Sequence, residues 1–214
     1  LVLGNQGVNN QFQASEKEPL ELYYADFDGN GSIDPLFCYY LNGTSYPAAN
    51  RDDLTEQLPG LRKKFNSYSS YSTATIADFF PPEKISAAGH LYIRELHSMV
   101  LLNQQGKTFK RMELPVEAQF APVYAIVADD VNHDGKKDLV LAGNNSWTRI
   151  KFGRYRANHG LVLTGDGIGA FAALPQAVSN LRLRGDVRSL TLIKNPTGNQ
   201  LLVGFNDGPL VSYH

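Results

Sequence analysis

The stretch Asp130-Val131-Asn132-His133-Asp134-Gly135-Lys136-Lys137-Asp138 places oxygen-bearing side chains at loop positions 1, 3, 5 and 9 and a glycine at position 6. The same register occurs earlier, in Asp26-Phe27-Asp28-Gly29-Asn30-Gly31-Ser32-Ile33-Asp34. Side-chain oxygens on every second residue of a tight loop converge on one point. A hard cation such as Ca²⁺ takes about 6–8 oxygens, and a glycine at the bend permits the sharp turn. The expected metal ligands are the side chains of Asp26, Asp28, Asn30 and Asp34 with the carbonyl of Ser32. In the second loop they are Asp130, Asn132, Asp134 and Asp138 with the carbonyl of Lys136. One such loop alone reads more simply as an Asp/Asn/Gly turn without metal. Two copies in one register favour two Ca²⁺ sites.

The flanks exclude an EF-hand, whose loop lies between helices and closes with a bidentate Glu at position 12. Position 12 is Phe37 in the first loop and Leu141 in the second. The flanking stretches Leu20–Ala25, Leu36–Leu41, Tyr124–Ala128 and Asp138–Ala142 read as strands. Each loop is therefore a strand-to-strand connection closed by an aspartate at position 9.

The 214 residues suffice for one or two domains. Twenty Lys and Arg against twenty-one Asp and Glu, a net charge of −1, argue against nucleic acid or an anionic membrane as partner. No run of 18 apolar residues exists, so no membrane span is expected. The single cysteine, Cys38, excludes an intrachain disulfide and reads as a buried, inert thiol. No signal peptide is visible, and the abrupt Leu1-Val2-Leu3-Gly4 start reads as mid-strand. The expectation is a piece of a longer propeller chain.

A second device recurs as strand, Gly-rich turn, Phe, strand. It appears at Leu161–Phe171 running to Pro175, at Leu101–Phe109 running to Pro115, and at Leu1–Gly7 with Phe12. Strand, acidic loop, strand, then strand, Gly turn, strand makes a unit of four antiparallel strands, the composition of a propeller blade. The expected units are the end of one at the start of the chain, then Leu20 to Pro115, Pro122 to Pro175, and a last unit from Gly185. The turn of that last unit, Lys194–Asn199, has no carboxylate, so no metal is expected there. The fold class is thus all-β: antiparallel four-stranded blades of a partial β-propeller, as a single domain over 1–214.

An insertion at about 45–88 interrupts the second unit. Asp52–Leu58 has the acidic start and apolar spacing of a short helix, Leu61–Phe65 reads as a further basic turn, and Thr73 or Thr75 caps Ile76–Phe80 ahead of Pro81-Pro82. Such a segment either carries function or covers a blade edge.

These residues resemble the FG-GAP (integrin-α-like, or VCBS) repeat family through Asp26–Asp34, Asp130–Asp138 and their strand context. Ala142-Gly143-Asn144, Gly153-Arg154-Tyr155, the Gly165–Phe171 turn, Gly185-Asp186-Val187-Arg188 and Asn206-Asp207-Gly208-Pro209-Leu210 are similar to bacterial secreted proteins of the cartilage-acidic-protein-like group. The resemblance implies a calcium-binding β-propeller at the cell surface, in the periplasm or outside the cell. Its implied role is protein or glycan binding and scaffolding, with no catalysis. The alternative is part of a secreted hydrolase acting on carbohydrate or phospholipid. Its free carboxylates would be Glu95, Glu113, Glu117, Asp166, Asp186 and Asp207, and none stands in a telling motif. His90, His97, His133, His159 and His214 share no ligand spacing. Gly165-Asp166-Gly167-Ile168-Gly169 joins two strands, where a dinucleotide fingerprint must open a helix. Trp147, Arg154 and Tyr155 form either a recognition spot or a packing contact.

Overall fold

The computed structural model describes residues 1–196 and 198–213; Thr197, in the expected metal-free turn, and His214 lie outside them. In chain order, β1 (Val2–Leu3) precedes β2 (Leu20–Ala25), β3 (Asp34–Leu41) and β4 (Thr44–Pro47). Four short helices follow: α1 (Arg51–Gln57), α2 (Tyr68–Tyr71), α3 (Ile76–Phe79) and α4 (Pro82–Ala87). Next come β5 (Gly89–Ile93), β6 (Met99–Gln104), β7 (Thr108–Glu113), β8 (Val123–Asp129), β9 (Asp138–Gly143), β10 (Leu161–Gly165) and β11 (Phe171–Ala173). The chain closes with α5 (Gln176–Ser179), β12 (Val187–Asn195), β13 (Gly198–Phe205) and β14 (Leu210–Tyr213). All strand pairings are antiparallel. The molecule is mostly β, in sheets of three and four strands. No helix among the described residues is long and apolar enough to cross a membrane.

The chain divides into two compact units, one of Leu1–Gln11 with Leu96–His214 and one of Phe12–Glu95. In the first, the sheets are β1-β6-β7, β11-β10-β9-β8 and β12-β13-β14. Strand β9 is buried at every residue. Leu139 and Leu141 face a core with Val100, Leu114, Ala118, Val123 and Leu163. Val140 and Ala142 point the other way, to Val162, Leu181, Leu183, Val187, Leu201 and Val203. Alternate residues of a strand point to opposite faces, so a strand covered on both faces reads as an unbroken apolar run.

The four-stranded meander expected between Pro122 and Pro175 is present as β8 to β11. The unit expected from Leu20 to Pro115 is not one sheet. Strands β2 to β5 form one sheet, while β6 and β7 pair with β1 through Val2↔Val100 and Leu3↔Met99. The third copy of the Gly-turn hairpin, at Leu1–Phe12, is likewise corrected. After β1 the segment runs on to bond elsewhere, with Val123 N–H donating to Asn5 O (2.9 Å) and Gly7 N–H to Leu96 O (2.8 Å). The last sheet has three strands.

In the second unit the order is β4-β3-β2-β5, so the fourth strand returns beside the first strand, after the helices. The helices fall within the expected insertion. Asn50 Oδ1 caps α1 by accepting Asp53 N–H (2.8 Å), and Asp78 Oδ2 ties Thr75 N–H (2.8 Å) at the start of α3. Pro82 opens α4 where a stop was expected, because its fixed φ suits the first helical turn. Leu54, Leu58, Phe65, Ala74, Phe79 and Phe80 of this segment pack on Phe27 of the acidic loop and Leu36 of β3.

Leu141 is fully buried at the centre of the first unit. Truncation by Leu141→Ala is expected to cost about 2–5 kcal/mol, read as a fall in the urea midpoint with unchanged slope.

Candidate metal centre

The two acidic loops fold into the same hydrogen-bonded frame. At position 1, Asp26 accepts Asn30 N–H (3.0 Å) and Gly31 N–H (2.8 Å) on its two oxygens; Asp130 accepts Asp134 N–H (3.0 Å) and Gly135 N–H (2.9 Å) likewise. At position 3, Asp28 and Asn132 each accept the N–H two residues on (3.1 and 3.0 Å). At position 5, Asn30 and Asp134 accept from Ser32 (2.8 Å) and Lys136 (2.9 Å). At position 9, the buried Asp34 and Asp138 reach back to the N–H of position 2, Phe27 and Val131, both at 2.9 Å. Positions 4 and 6 are left-handed in both copies: Gly29 and Gly31, His133 and Gly135.

The loops differ in what this frame leaves over. In the first, one oxygen from each of Asp26, Asp28 and Asp34 lies within 4.8 Å of the others. Calcium–oxygen distances of about 2.3–2.6 Å place two ligands of one ion up to about 5 Å apart, so the spacing fits. The backbone N–H of Gly31, then those of Gly29 and Asn30, hold Asp26 below the usual carboxylate range and so ionised at neutral pH. Residues 26–34 carry three carboxylates and no cation. In the second loop Asp138 has both oxygens engaged, Oδ2 by Val131 and Asn132 and Oδ1 by Gly165 N–H (2.9 Å) at the end of β10. Gly165 can approach because a Cβ there would stand 2.1 Å from Lys137 O. Asp130, Asp134 and Asp138 are offset by Lys136 and Lys137, for a formal −1. Among the described residues only the first loop gathers three carboxylates.

Each loop is also anchored by its neighbours. Phe27 is buried and stacks on Phe80 at 4.3 Å, and Lys84 of α4 donates to Phe27 O. The second loop is preceded by Asp129, which accepts from Lys194 (2.9 Å) and Lys137 (3.1 Å). Those two lysines hold its carboxyl down at about 2. Both are two-thirds exposed (66% and 67%), so water screens the pairs.

A polar chain that sequence reading missed lies on one face of the second unit's sheet. Glu21 is buried, accepts Ser45 Oγ (2.5 Å), and has His90 Nε2 at 3.2 Å from Oε1. The distance is that of an ion pair, but its alignment falls short of a hydrogen bond, leaving Nε2 without one. On the other side His90 Nδ1 is 2.8 Å from Tyr92 Oη, and the ring stacks on Tyr23 at 3.8 Å. The register Tyr23↔His90 and Glu21↔Tyr92 brings them together, a pairing that no local spacing signals. Cys38, opposite Glu21 on β3, is buried, and burial followed by the Glu21 charge pushes its thiol up to about 12, which makes it inert.

The other sequence candidates separate. Asp166 Oδ1 accepts Ile168 and Ala170 N–H (both 2.9 Å) across the β10–β11 hairpin, so that stretch is a turn. Asp186 is buried under Ser146 N–H (2.8 Å) and Oγ (2.6 Å), and Glu113 pairs with Arg111 (2.9 Å). Asn144 is buried with Nδ2 donating to Asn158 O and Gly185 O. Trp147 is 75% exposed, Arg154 is exposed, and Tyr155 is half-buried, exchanging backbone bonds with Asn145. No family model matches the chain, and no curated protein or solved structure matches it at a significant level.

Two outcomes follow from the loop geometry. His133 is a non-glycine residue at φ +62, where the other loop has Gly29. His133→Gly is expected to stabilise by about 1 kcal/mol in urea melts, by relieving left-handed strain. Asp129, lowered from 3.8 to about 2, contributes stability that is complete above 3.8 and is lost as pH falls toward 2. Asp129→Asn is therefore expected to melt below wild type at neutral pH. The gap should narrow as melts are repeated from about pH 5 down to about pH 2.

Proposed function

We propose that this chain is an exported, calcium-stabilised module of β-propeller type that binds a protein or glycan partner and carries out no catalysis. The observation that carries the reading is the convergence of Asp26, Asp28 and Asp34 within 4.8 Å in a loop joining two strands. Asn30 and the Ser32 carbonyl complete the ligand set there. Bound Ca²⁺ would neutralise the crowded carboxylates and pin the β2–β3 connection. The second loop, with the same frame but less net negative charge, takes a weaker ion through Asp130, Asn132, Asp134, the Lys136 carbonyl and Asp138. Calcium affinity in such loops follows the count of ligand charges. The blade reading is supported by the β8–β11 meander, whose two faces are covered by cores shared with the strands before and after it. Similarity to FG-GAP repeats remains part of this proposal.

A secreted hydrolase is the second reading, favoured by the Glu21–His90–Tyr92 chain, in which an exposed tyrosine is within reach of a histidine beside a buried carboxylate. Turnover on glycan or phospholipid panels that disappears in His90→Gln would establish it.

Calorimetric titration with Ca²⁺ is expected to resolve a tighter and a weaker site. Asp28→Ala should remove the tighter one, and Asp134→Ala the weaker. At a hundredfold excess over Kd the tighter site adds about 2.7 kcal/mol of stability, visible as a chelator-reversible rise in Tm. Absence of both heat and Tm shift in wild type would refute the calcium reading.

A further inference from the structure

We infer that the first unit carries an anion-binding recess, formed by His159, Gln176, Arg182 and Arg184, that takes a sulfate or phosphate group. A cavity of about 250 Å³ is lined by these four side chains. The backbone explains why they meet. Residues 181–184 alternate Leu-Arg-Leu-Arg; Leu181 and Leu183 are buried in the core beside β9 and β13, which turns Arg182 and Arg184 outward together. Leu183 N–H donates to His159 O (2.8 Å), laying this segment alongside the one that carries His159. Gln176 Nε2 then fastens the two, donating to Leu181 O (3.0 Å) and His159 O (3.3 Å).

The charge at this place is uncompensated. Between Gly143 and Asp186 the chain carries six Lys and Arg and one acid, Asp166, although the whole protein is at −1. Asp166 is occupied in its own hairpin. Among the described residues neither Arg182 nor Arg184 has a carboxylate partner, whereas Arg51, Arg94, Arg111 and Arg188 all do. Two guanidinium groups two residues apart offer paired N–H forks, which suit the several oxygens of a tetrahedral oxyanion better than a lone ammonium does. Glu117 lines an adjoining recess with His159 and Gln176, while Asp186, two residues from Arg184, is buried and taken by Ser146 and Arg188. The site uses none of the calcium-loop residues, so it stands or falls apart from the calcium reading.

The test is titration of the full chain with inorganic phosphate and sulfate at constant ionic strength in EDTA, with chloride as the control. Binding above the chloride control is expected, about tenfold weaker in each of Arg182→Gln and Arg184→Gln. Arg184→Lys should recover only part of the loss, and Glu117→Gln should tighten binding. Both arginines are exposed, so an unchanged Tm will show that the variants fold. A sulfated oligosaccharide and a phosphorylated sugar, compared in parallel, distinguish the two sources of the group. Heat no greater than with chloride, or equal affinity in the double arginine variant, would overturn the assignment.

Discussion

The hydrogen bond that the position-2 backbone N–H donates to the position-9 aspartate is the constraint on which the acidic loops depend. It ties the first residue of one strand to the loop that has just left the previous strand, so both ends are held before any cation arrives. A buried carboxylate is tolerated only where donors meet it. Asp34 meets Phe27 N–H, and Asp138 meets Val131, Asn132 and Gly165. With that residue fixed, the remaining carbonyl-like oxygens of positions 1, 3 and 5 each fold over a backbone N–H further along. The cost of bringing like charges together in the first loop is thereby met in part by backbone dipoles.

Much of this was legible in the chain. The period-2 spacing of oxygens with a glycine at position 6 marked both loops, and the apolar runs beside them marked β2, β3, β8 and β9. The Asx-type frame follows from residue type and spacing alone. What the sequence did not display was how strands are shared among sheets. Leu1–Leu3 and Met99–Val100 are far apart in the chain, and two-residue β1 has no pattern of its own. The Leu101–Phe109 hairpin carries its own turn signal, but nothing local to it says which sheet it joins. The missed polar groups have the same cause. His90 and Glu21 meet only through strand register, and Arg182 and Arg184 face outward together only because Leu181 and Leu183 are buried.

The helical insertion is bound to the loop it follows. Phe27, at position 2, turns its ring into the core made by Leu54, Leu58, Phe65, Phe79 and Phe80, while its backbone carbonyl takes the Lys84 ammonium and its N–H is held by Asp34. One residue thus joins three separate interactions, and a displacement of the loop is felt by the helices through a stacked aromatic pair. The second loop has Val131, an exposed residue, at the same position and no such cover. The two copies share a backbone and differ in their surroundings.

The pairing of β1 with β6 also imposes an order of events on a ribosome. Strand β1 is made before its partner residues Met99 and Val100, which follow only after the entire Phe12–Glu95 unit has been synthesised. At about 5–20 residues per second this leaves a short apolar strand waiting for seconds while a self-contained neighbour condenses behind it. The lag is a window in which the waiting segment needs either a chaperone or sheer brevity to stay out of trouble, and at two residues it has brevity.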